Sequence, residues 1–309
     1  MRKFELVPKF LTLFTLLTVS FLTVYGQESM APAPTNGCGE GNYAGEIARF
    51  TALIEKDPSA FKLYVARGKN YAGQNDHVNA LKDFNKALEL NPKSDAAHMG
   101  IGGVYHHRGN LPKADAAFTK AIELNPANSG AYVTRAILRL GDRNFDQQSL
   151  ADLEKAITFD AKFSEGYYVR ARVLQLMGRK QEAHDDYFRA GQVLTGEIEG
   201  TIEDECKSHI YVQRGWINTA LQRTPGALAD YNTAIEIESN YFLARYYRGA
   251  LMLGLRNYLA AVSDFDKAIE LNPTHAKSYK ERAIAYDKLG AKDKAADDRK
   301  KYEELKEVK

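Results

Sequence analysis

The sequence predicts an all-α fold made of stacked helix pairs. Three observations carry that expectation. The phrase ALELNP stands at Ala87, and AIELNP returns at Ala121 and Ala268. The alanines that open or correspond to this phrase are Ala87, Ala121, Ala156, Ala190, Ala234 and Ala268, in steps of 34, 35, 34, 44 and 34. Arginine and aspartate recur with the same period. A period of this length marks a repeat architecture, in which no unit buries its apolar face alone and neighbours must stack.

The chain begins with a segment of a different kind. Arg2, Lys3 and Lys9 precede a 16-residue apolar run from Phe10 to Tyr25, and Val24 and Gly26 suit a small-residue cleavage site. Residues 1–26 read as an export signal with Gln27 as the mature start. A membrane-spanning helix wants about 20 apolar residues, so an N-terminal anchor is the alternative. Residues 27–44 are rich in Pro and Gly and read as a flexible leader. The 42 basic and 40 acidic residues become 39 of each once 1–26 is removed. A neutral mature chain has no general electrostatic pull on nucleic acid or on a membrane surface, and neither is expected as a partner.

From Gly45 onward the units can be aligned. The stretch 61–94 places Tyr64, Gly68, Tyr71, Ala80, Phe84, Ala87 and Pro92 at positions 4, 8, 11, 20, 24, 27 and 32. The stretch 95–128 places His98, Gly102, Tyr105, Ala114, Phe118, Ala121 and Pro126 there, and 242–275 places Gly249, Met252, Ala261, Phe265, Ala268 and Pro273. Looser copies run over 129–163, 164–197, 208–241 and 276–309, with an incomplete one at 45–60. This pattern resembles the tetratricopeptide-repeat family over residues 45–309. The resemblance implies a right-handed α-α superhelix, or solenoid, of about seven and a half units, each two antiparallel helices. Small residues at 8 and 20 let the two helices approach, and the aromatics fill the space around them. The proline ends the second helix because it has no N–H to continue the ladder.

Arg occupies position 7 as Arg67, Arg135, Arg170, Arg214, Arg248 and Arg282. Asp occupies position 23 as Asp83, Asp152, Asp186, Asp230, Asp264 and Asp298. The unit 95–128 lacks both, with Ile101 and Ala117. Joint presence and joint absence predict an Arg–Asp pair inside each unit. Pairing across units would leave Asp83 facing Ile101.

Two departures from the pattern stand out. The last helix carries Arg299 where an aromatic belongs and reads as a polar cap. Ten extra residues, IEGTIEDECK at 198–207, read as a loop or helix extension, with a hinge or partner contact as the alternative. Cys206 lies there, about four units from Cys38. With about 8–10 Å per packed helix, a disulfide between them is not expected.

No catalytic motif, dinucleotide fingerprint, P-loop or zinc-protease helix is present. The expectation is no enzyme and no cofactor. His98, His106 and His107 cluster in sequence. His98 occupies a packing position, and neighbouring helical residues such as His106 and His107 point about 100° apart; no metal site is expected from them. The resemblance implies that positions 2, 5, 9 and 12 line a concave groove. The Lys at 5 and Asn at 9 used by carboxylate-clamping members occur together in no unit. Ile137, Tyr168, Arg172, Val212, Trp216 and Tyr246 make the groove apolar and aromatic, with packing between neighbouring helices as the alternative role for these side chains. The expected function is a non-catalytic scaffold that binds a peptide or partner helix in this groove, in the cell envelope or outside it. The alternative is a tethering component that self-associates or docks through its convex face or the 198–207 insert.

Overall fold

The computed structural model describes residues 43–141, 147–200 and 207–307. The export segment, most of the leader, Cys38 and Cys206 lie outside them. Every described element is an α-helix. In order they are α1 (Tyr43–Lys56), α2 (Phe61–Gly73), α3 (His77–Leu90), α4 (Asp95–His107), α5 (Leu111–Leu124), α6 (Ser129–Gly141), α7 (Gln147–Phe159), α8 (Ser164–Leu176), α9 (Lys180–Glu199), α10 (Lys207–Ala220), α11 (Thr224–Ile237), α12 (Phe242–Gly254), α13 (Tyr258–Leu271), α14 (Ala276–Lys288) and α15 (Lys292–Glu307). They form two compact units, α1–α9 and α10–α15. Within each, consecutive helices pack against each other.

The repeated phrase explains how the second helices stop. In α3, α5 and α13 the last helical N–H belongs to Asn91, Asn125 and Asn272, donating to the carbonyls of Ala87, Ala121 and Ala268 at 2.8, 2.9 and 2.9 Å. Each Asn side chain then accepts the N–H two residues on, from Lys93, Ala127 and Thr274. The intervening proline has no N–H to offer. An Asx turn and a missing donor together end the helix.

Ring-into-glycine contacts set the helix spacing within a pair. Phe84, Phe118 and Phe265 are fully buried and Tyr231 nearly so. A Cβ added at Gly68, Gly102, Gly215 or Gly249 would stand 2.8, 2.4, 2.7 or 3.0 Å from the nearest side-chain atom, a ring carbon except at Gly249, where Asp264 Cβ and Phe265 Cε1 are equally near. The ring at position 24 therefore occupies the space that position 8 leaves empty.

The turn joining the two helices of a pair needs a left-handed residue at position 15. Gly109, Gly178 and Gly290 fill it with φ of 70°, 78° and 77°, but Asn75, Gln222 and Arg256 fill it at 62°, 58° and 62°. A side chain with a Cβ is strained there by about 1–2 kcal/mol, which glycine relieves at some cost in unfolded-chain entropy. Arg256→Gly is therefore expected to stabilise by about 0.5–1 kcal/mol, read from the urea midpoint. Asn75→Gly should change less, because asparagine tolerates this region.

The expected insert is in part helix. The helix α9 runs 20 residues and ends at Glu199, so Ile198 and Glu199 extend it. Residues 201–206 lie outside the described part.

Candidate binding surface

All six Arg–Asp pairs are formed within their helix pairs. The shortest N–O distances are 2.7 Å for Arg67–Asp83, Arg135–Asp152, Arg170–Asp186 and Arg282–Asp298, and 2.6 Å for Arg214–Asp230 and Arg248–Asp264. In Arg67, Nε and Nη2 each donate to one carboxylate oxygen of Asp83, and Arg135, Arg170, Arg248 and Arg282 repeat this fork. Each aspartate is buried. The hydrogen bond to aspartate holds the guanidinium of Arg67, Arg135, Arg170 and Arg248 above its ordinary pKa, against the opposing effect of burial.

The same arginines also reach backward. Nη1 of Arg67 and of Arg135 donates to Thr51 and Thr119 at 3.0 Å, and Nη1 of Arg248 and of Arg282 to Asn232 and Asp266 at 2.7 Å. Each acceptor lies 16 residues upstream, on the second helix of the preceding pair. The side chain thus ties its own two helices together and also holds the neighbouring pair. A polar residue 16 positions before each of these arginines is the sequence signal for this second contact. These side chains are engaged on both sides within the framework, where they tie the register of one helix pair to the next.

The six groove residues separate by burial. Tyr246 is 1% exposed, with ring centroids at 4.8 Å from His275, 5.2 Å from Tyr247 and 6.0 Å from Phe265. Tyr168 is 8% exposed against Tyr187, and Val212 is 5% exposed in a cluster with Ala227, Tyr231, Ala234, Ala244 and Leu251. The expectation that these three present themselves to a partner is corrected. A first helix is flanked by its own second helix and by the next pair, so a large side chain at position 5 is covered by its neighbours. Ile137, Arg172 and Trp216 remain half-buried. Ile137 and Arg172 lie on α6 and α8, first helices that pack against each other in the first unit. The Arg172 guanidinium sits 5.9 Å from the Tyr168 ring centre. Trp216 is on α10, in the second unit.

Glu165 opens α8 at position 2 and is half-buried. Burial pushes its carboxyl up to about 7. The raised pKa means that the folded chain binds the proton more tightly than the unfolded chain. Stability is greatest below the unfolded value and falls as pH rises toward about 7. Glu165→Gln is expected to stabilise by about 1–2 kcal/mol at pH 8 and to be neutral at pH 4, measured by urea unfolding at both.

His98 and His106 are half-buried and held below the usual imidazole range, chiefly by burial. His107 is exposed. Among the described residues no group of three or more His, Cys, Asp and Glu converges.

Two family profiles described as tetratricopeptide repeat match residues 65–129 and 265–296. A Dictyostelium discoideum protein named DnaJ homolog subfamily C member 7 homolog is 26% identical over 156 residues, 47% of this chain and 29% of its own. The chain thus spans under a third of that relative. The structure is similar to the Cut9–Hcn1 hetero-tetramer of APC/C, with a TM-score of 0.60 and 14% identity over 80% of this chain and 47% of that one. A tetratricopeptide repeat protein from Parabacteroides merdae gives 0.55 and 16% over 87% of this chain and 99% of its own. The chain is a tetratricopeptide-repeat protein.

Proposed function

We propose that this chain is a non-catalytic adaptor that binds an extended peptide or a partner helix along the faces of its first helices. The tetratricopeptide fold itself supports a protein–protein interaction scaffold. The carrying observation is the contrast on those helices. Tyr168 is buried, while Arg172 above its ring and Ile137 on the adjacent first helix stay half-exposed on a rigid base. Arginine and tryptophan dominate binding hot spots, and Trp216 offers a second such position in the other unit. A preorganised surface loses little conformational entropy when it binds.

Export belongs to the same proposal and rests on residues 1–26, with an N-terminal anchor as the alternative. No described helix is long and apolar enough to cross a membrane. A mature N-terminus at Gln27, read by mass spectrometry, supports export with cleavage; retention of Met1–Gly26 counts against it.

The adaptor reading is tested by crosslinked capture from cells producing the protein. The wild type is compared with Ile137→Ala/Arg172→Ala/Trp216→Ala and with Leu259→Ser, a change at a residue 73% exposed elsewhere. A partner kept by Leu259→Ser and lost by the triple variant supports the reading. A partner held equally by all three proteins sinks it.

A further inference from the structure

His77 and His107 meet at the edge of the first unit. His77 is the first residue of α3 and His107 the last of α4. Their ring centroids are 4.8 Å apart, with the planes inclined by 49°. Nδ1 of His77 is buried and has no hydrogen-bond partner. An ion bonded to one nitrogen of each ring at about 2.0–2.1 Å would leave the ring centres about 4.5–5.2 Å apart. The rings already stand at that separation, and one carries an unused nitrogen.

The repeat does not require imidazoles here. The corresponding positions in other adjacent units are Leu111 with Gly141 and Tyr258 with Lys288. Packing at this junction is thus met elsewhere without histidine. Burial first, then His107 and Arg108, holds the His77 ring below its ordinary pKa, while Asp76 acts in the opposite direction. The Asp76 carboxylate is engaged by the backbone and side-chain amides of Asn79, so it adds negative charge nearby without being counted as a ligand.

We propose that His77 and His107 form a two-imidazole site for a late first-row divalent cation, of the kind that zinc, nickel or copper(II) represents, with water completing the coordination. Imidazole ligands select this class over magnesium or calcium, which take oxygen donors. The ion would bridge two adjacent repeats and clamp their junction.

The test is calorimetric titration of nickel(II) and zinc(II) into the full chain at pH 7.5. Every protein is tag-free, with Cys38→Ser and Cys206→Ser to remove thiol ligands. One-to-one binding that is abolished by His107→Ala, kept by His98→Ala and absent for magnesium is the expected result. His107 is exposed, so its replacement leaves folding intact, which circular dichroism checks. His77→Ala should match His107→Ala. Saturable binding that survives both single variants places the ion elsewhere and overturns the proposal. Absence of binding to the parent protein overturns it equally, leaving the ring pair as a packing contact.

Discussion

Arg67→Ile alone is expected to destabilise the first unit by about 3–5 kcal/mol, while Arg67→Ile combined with Asp83→Ala loses far less. The single change strands Asp83, whose side chain is 5% exposed and whose two oxygens both accept from Arg67. A buried carboxylate without its partner must lose its charge or pull the helices apart. Removing both partners takes away the desolvation cost with the attraction. The chain already contains the double replacement. In the unit formed by α4 and α5, Ile101 and Ala117 occupy the two positions, with Ala117 8% exposed and Ile101 packed against the neighbouring core. Urea unfolding of wild type, single and double variants measures this. A double variant as unstable as the single would show that the pair stabilises the fold in its own right.

Phe118→Ala is expected to cost about 3–5 kcal/mol, since the ring is fully buried and the structure around a deleted core side chain relaxes only in part. The converse change is also unfavourable. Gly102→Ala puts a methyl 2.4 Å from the Phe118 ring, and overpacking of this kind costs about 1–3 kcal/mol. Gly102→Ala together with Phe118→Leu should recover much of that loss. The unit formed by α6 and α7 has that combination, with Ala136 and Leu153 both fully buried. Thermal unfolding of the four proteins checks the compensation, and additive losses would refute the ring-into-glycine account.

These two predictions mark how far the primary structure alone reaches. Period, small and aromatic positions, proline stops and the joint recurrence of Arg and Asp are properties of spacing along one chain. Spacing determines which residues share a helix face, so the helical repeats and the partner of each arginine were legible in the amino-acid order. Three things depended on which helix lies beside which. The backward reach of Arg67, Arg135, Arg248 and Arg282 needed the preceding pair in place to supply an acceptor. The burial of Tyr168, Val212 and Tyr246 follows from cover by neighbouring helices, so aromatic character at a groove position says nothing of exposure. His77 and His107 lie 30 residues apart in the chain. Helical periodicity relates residues within one helix and is silent about two rings on different helices. Only stacking of the repeats, which buries the apolar faces that no single pair can hide, brings them together.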